Sequence, residues 1–77
     1  MKIVEVTWED ASFEDMTHRT QRTVEEDTFV VLRSVGYLIS RNKRAIRLAM
    51  EWRPDSDRVR DILLIPTSLV KKVRVLR

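Results

Sequence analysis

The run TFVVLRSVGYLIS, residues 28–40, contains the chain's one glycine. Phe29, Val30, Val31, Val35, Tyr37 and Ile39 are β-branched or aromatic, types that favour pleated backbone, so the run is predicted as the central strand. A glycine inside a strand gives up backbone entropy and packs nothing. It is found where a strand must bend or a second backbone comes close. Gly36 therefore marks the expected corner of a small β-barrel. The basic stretch RNKR follows at once as a turn, with Asn42 the residue best suited to a positive φ.

The segments around this strand fit the same plan. MKIVEVTW at residues 1–8 places Val4, Val6 and Trp8 on one face at period two, as a strand does. Ile46, Leu48, Met50 and Trp52 alternate with Arg47, Ala49, Glu51 and Arg53 in a half-buried strand. Pro54, Asp55, Ser56 and Asp57 are turn residues, residues 58–65 form the next strand, and Pro66, Thr67 and Ser68 stop it before a last strand over 69–76. Connections this short leave no room for crossover helices, so the strands pair antiparallel. The expected fold class is all-β, a strongly bent antiparallel barrel of about five strands with at most one short helix.

Residues 9–27 form a polar, acidic insert within the single domain of residues 1–77. Ser12 and Asp15 resemble a helix-capping pair with Phe13 and Met16 on one side, whereas residues 17–27 alternate like an exposed edge strand; both readings stay open. The insert divides the charge. Residues 1–27 carry three basic and eight acidic side chains, net −5, and residues 28–77 carry twelve and four, net +8. Such asymmetry matches a basic ligand-binding body beside an acidic segment, or complementary patches meeting across a subunit contact; a mixed solvated surface is the plainer alternative.

Several functions are excluded by what the chain lacks. With no cysteine there is no disulfide, thiolate ligand or thiol nucleophile, which fits a reducing compartment. His18 has no second histidine or cysteine to complete a metal site. One glycine cannot build a glycine-rich phosphate loop. The neighbouring carboxylates Glu14 with Asp15, and Glu25 with Glu26 and Asp27, read as solvated groups and not as an acid–base pair. No enzyme, metal or cofactor is expected. No apolar run approaches the roughly 18 residues of a membrane span, and Met1 and Lys2 lead into a strand and not a signal peptide, so a cytoplasmic protein is expected.

Arg41, Lys43, Arg44 and Arg47 carry the functional expectation. A hairpin presents them together, and together they can neutralise several phosphates with release of counterions. Asn42 lies among them, and Tyr37 stacks a base if it faces the same way, although its face, shared with Phe29, Val31, Val35 and Ile39, reads as core. Lys71, Lys72, Arg74 and Arg77 form a second basic cluster on the last strand. Trp8 and Trp52 are expected as core or subunit-contact anchors.

GYLISRNKRAIRLAM and DILLIPTSLVKKVRVL resemble the strand–turn–strand and closing strand pair of the Sm-like family, the Sm, LSm and Hfq proteins. The resemblance covers about 45 residues and implies a homo-oligomeric ring built by pairing edge strands, here those beginning near Arg58 and Leu69. It also implies RNA contact at two pore-facing loops, residues 40–44 and 66–68. Asn42 stands without the family's aspartate partner, Ile65-Pro66-Thr67 replaces an arginine–glycine pair, and the chain starts with a strand in place of a helix. Those departures count against base-specific recognition. The whole chain is also similar to short tailed-phage proteins with a W-x-D-A start (residues 8–11), an S-V-G-aromatic-L middle (34–38) and an I-P-x-S turn (65–68), which implies a viral accessory protein working in an infected cell. The expected ligand is RNA; a small anionic nucleotide held between subunits, or a host protein gripped by the acidic segment, are the rival partners.

Overall fold

The computed structural model describes residues 1–10 and 30–77. The helix and edge-strand readings of the acidic insert, His18 and Phe29 lie outside the described residues. Among the described residues there are five strands, β1 (Ile3–Asp10), β2 (Val30–Arg41), β3 (Ala45–Arg53), β4 (Arg58–Pro66) and β5 (Val70–Val75), with one 3-10 turn, Thr67–Leu69, between the last two. They form one sheet in the order β4-β3-β2-β1-β5, every neighbouring pair antiparallel. The all-β expectation holds. No described helix is long and apolar enough to cross a membrane.

The connectivity alone requires this sheet to curl. In a flat sheet β4 and β5 would lie four strand spacings apart, about 19 Å, and would run in the same direction, placing the end of one far from the start of the other. Residues 67–69 with the links at either end reach no more than about 14 Å even when extended. Only a strongly coiled sheet lets so short a connector join its two edges. Bulges at Thr7/Trp8 and between Leu38 and Ser40 supply local twist. Gly36 supplies the close approach: a Cβ there would stand 2.9 Å from the Ala49 carbonyl oxygen and 2.8 Å from the Met50 methyl. Its φ is not positive, so contact with β3, and not backbone freedom, is what requires glycine. Beside it, β2 passes from one partner to the other, pairing with β1 over Val30–Tyr37 and with β3 from Tyr37 onward.

The coiling stops short of a closed barrel. Among the described residues β4 and β5 pair with nothing on their outer sides, leaving two free edges.

The concave face holds the core. Val4, Val6 and Trp8 of β1, Ile46 and Leu48 of β3 and Ile65 of β4 are buried together, with Leu32, Leu38, Leu63, Leu69, Val70 and Val73 packed around them. The Trp8 indole N–H donates to the Ser34 hydroxyl at 3.0 Å, so the one polar group this ring carries inward is satisfied. No described buried side-chain polar atom lacks a partner.

Three expectations are corrected. The face of β2 carrying Val31, Val35, Tyr37 and Ile39 points outward: Val31 is 59% and Val35 47% exposed, while Leu32, Ser34, Gly36 and Leu38 face the core. Both faces of β2 are apolar, so period two could not tell them apart. The buried stripe of β3 ends at Ala49. Past it β3 pairs only with β4, forming a two-stranded arm on which Met50 is exposed and Trp52 half-buried. Lastly, Asn42 has no positive φ; among the described non-glycine residues that conformation belongs to Asp57 in the arm's turn and Asp61 on β4.

Candidate nucleic-acid interface

The basic turn is built from the backbone outward. The Asn42 N–H donates to the Ala45 carbonyl at 3.0 Å, closing the hairpin. The Asn42 side-chain oxygen accepts the backbone N–H groups of Arg44 at 2.8 Å and Ala45 at 3.0 Å. Asparagine thus shapes the turn through its side chain, an Asx-type arrangement, without a left-handed residue. A second tie comes from the β4–β5 connector: the Thr67 hydroxyl donates to the Asn42 carbonyl at 2.9 Å and the Thr67 N–H to the Arg44 carbonyl at 3.0 Å. The two loops that the family resemblance singled out, 40–44 and 66–68, are therefore in direct contact.

This scaffold turns cations outward. Arg41, Lys43, Arg44 and Arg47 are all exposed, and none makes an ion pair with a described carboxylate. An open cleft of about 390 Å³ lies against the turn, lined by Asn42, Arg44, Ala45, Arg47, Leu64 and Pro66. Its charge comes from the two arginines and its apolar wall from β4. Leu64 is opposite Arg47 and Pro66 opposite Ala45 in the β3–β4 register. Sequence reading missed Leu64 as part of this surface, whereas Pro66 and Thr67 entered it only through the family resemblance.

Tyr37 is not in the core, nor in the cleft. Its ring meets the Trp52 ring edge-on, with centroids 5.7 Å apart and planes at 64°. The Trp52 indole N–H donates to an Asp57 carboxylate oxygen at 3.0 Å, fixing the pair to the arm's turn. Trp52 thus anchors the arm, whereas Trp8 alone is a core tryptophan.

Several of the other described cations are paired with carboxylates. On β5, Lys71 meets Glu9 at 3.3 Å and Arg74 meets Glu5 at 3.6 Å, so two of the four cations in the second basic cluster are paired across the sheet; Lys72 and Arg77 make no pair with a described carboxylate. On the arm, a cleft of about 490 Å³ is lined by Glu51, Arg53, Arg58, Val59 and Arg60. Arg60 forms a hydrogen-bonded ion pair with Glu51, which raises the guanidinium pKa still further, and Arg53 pairs with Asp55 at 3.0 Å. Counting Asp57 and Asp61, the arm carries four carboxylates against three arginines, so the basic turn is the better anion surface. Among the described residues no group of three or more histidines or carboxylates could hold a metal ion. No protein-family model, curated protein or solved structure matches this chain.

Proposed function

We propose that the protein is a non-enzymatic, Sm-like module of phage origin that assembles into a homo-oligomer and binds nucleic acid through the basic turn, with little base preference, in the cytoplasm of an infected cell. One observation carries the reading. Arg41, Lys43, Arg44 and Arg47 are exposed around a turn whose backbone is hydrogen-bonded into shape, with no described carboxylate to neutralise them. Clustered, exposed cations attract a polyanion and gain affinity through counterion release, a term indifferent to base identity. Assembly is supported by the outer edges of β4 and β5, which no described strand covers and which are templates for strand pairing. The ion pairs of Lys71 and Arg74 also lessen the repulsion that the β5 edge offers a neighbour.

The test is to change Arg41, Lys43, Arg44 and Arg47 to glutamate together and measure oligonucleotide binding by fluorescence anisotropy across a salt series. A loss of at least 100-fold is expected, since each single-strand phosphate contact contributes about 0.7 to the salt slope and four are removed or reversed. Unchanged affinity in a folded variant would sink the proposal. The cleft favours a second reading, a small anionic nucleotide. Its volume of about 390 Å³ lies in the range of small-molecule sites and it combines Arg44 and Arg47 with the apolar Leu64 and Pro66. Stoichiometric binding of a mononucleotide, with little affinity for longer strands, would favour that reading.

A further inference from the structure

We infer that Thr67, on the connector between the edge strands, is the positioning residue of the basic turn. With Asn42 it forms a latch that presents the cations already ordered, and it touches no ligand itself. The inference rests on the nucleic-acid reading above and adds to it a residue which that reading does not require.

The geometry is specific. Thr67 bonds twice to one short turn, through its hydroxyl to the carbonyl of Asn42 and through its N–H to the carbonyl of Arg44. The two carbonyls flank Lys43, so both ends of the cationic tip are held from outside the hairpin. From within, the Asn42 side-chain oxygen holds the N–H groups of Arg44 and Ala45. Four hydrogen bonds thus converge on the short exposed tip around Lys43. Residues this exposed have little burial to hold them, so without those bonds the tip would sample many backbone conformations.

The arrangement also assigns Asn42 a role. Its side-chain oxygen already accepts two backbone N–H groups, so the acceptor that could read a base edge is occupied within the turn. Asn42 is a shaping residue. Beside the Asn42 amide NH2, what faces solvent is guanidinium and ammonium groups, which suit phosphate oxygens.

Order in the free state matters because a ligand that binds a flexible tip must fix it first, and that ordering is subtracted from affinity. A latch removes the subtraction without adding a contact. Loosening it should therefore weaken binding while leaving the number of phosphates engaged, and hence the salt slope, unchanged.

The experiment uses Thr67→Val, which removes the hydroxyl at nearly constant shape, and Thr67→Ser, which keeps it. Binding of a 12-nucleotide poly-dT and a 12-nucleotide poly-dA is measured over a salt series, alongside amide hydrogen exchange at Arg44 and Ala45. Thr67→Val is expected to weaken both ligands equally, by about threefold to tenfold, with the slope of log K against log salt unchanged and exchange at both amides accelerated. Thr67→Ser should restore both the affinity and the slow exchange. Faster exchange with unaltered affinity would overturn the inference, because the shape of the turn would then not matter to binding. Loss for one base only would also overturn it, since the latch would be reading sequence. If the unaltered protein bound neither strand, the nucleic-acid reading would fail instead. The exchange data would then still decide whether the latch orders the turn, and unaccelerated exchange in Thr67→Val would refute it.

Discussion

Gly36 shows how a single residue couples local conformation to the curl of the sheet. Replacing a glycine by alanine in extended backbone ordinarily stabilises by about 0.4–1 kcal/mol through the unfolded chain. Here the added methyl would press on the Ala49 carbonyl oxygen, a backbone atom that can move only if β3 moves. Overpacking of this kind costs about 1–3 kcal/mol, so the net sign is destabilising. Gly36→Ala should lower the midpoint of urea unfolding, and an unchanged or raised midpoint would show that β2 and β3 do not approach this closely. The need for glycine was legible in the sequence, because a glycine between valine and tyrosine in a strand weakens that strand unless the backbone geometry demands it. Its cause was not legible, since a bend and a close approach leave the same mark. Asn42 reversed the pattern: its place in a turn was evident, but whether it served through backbone φ or side-chain oxygen depended on atoms three residues away.

Among the elements, β3 and β4 are where sequence reading succeeds and fails most clearly. Centring the hairpin on the turn 54–57 already places Ala45 opposite Pro66 and Leu48 opposite Leu63, as found. That register brings the basic turn beside Pro66 and Thr67, so the meeting of the two loops was implicit in the position of one turn. The strand faces were harder. Ile46 and Leu48 are buried while Leu64 is 54% exposed, although the apolar run ILLI in β4 carries no polar residue to mark its outer side. Leu48→Ala should therefore destabilise by about 2–5 kcal/mol and leave a cavity, whereas Leu64→Ser should change stability by about 0.5 kcal/mol or less. Thermal unfolding of the two variants checks the assignment; similar losses for both would mean that the outer face of β4 is covered in the folded state. The outward valines and isoleucine of β2 were misread for the same reason, because alternation identifies a buried face only when the other face is polar.

Across the whole molecule, charge is distributed by pairing and not merely by count. The sequence showed two basic clusters of equal size, but two of the four cations of the second cluster are partnered by Glu5 and Glu9 from the adjacent strand, a match that needs the β1–β5 register to be seen. Such exposed pairs contribute little to stability, yet they lower the charge available to a ligand. Replacing Lys71 and Arg74 by glutamine together should accordingly change oligonucleotide affinity by less than about twofold, in contrast to the charge reversal at the turn; a loss as large as that reversal produces would relocate the binding surface to β5. The free edges and the exposed cationic turn belong to one account, in which copies join through their edges and present several turns to one polyanion. Native mass spectrometry of the protein as purified from cells, at gentle ionic strength, tests that account most directly. It predicts a multiple of the 9.2 kDa chain carrying an oligonucleotide mass that disappears when Arg41, Lys43, Arg44 and Arg47 are changed to glutamate. A bare monomer, unchanged by added oligonucleotide, would contradict both the assembly and the ligand.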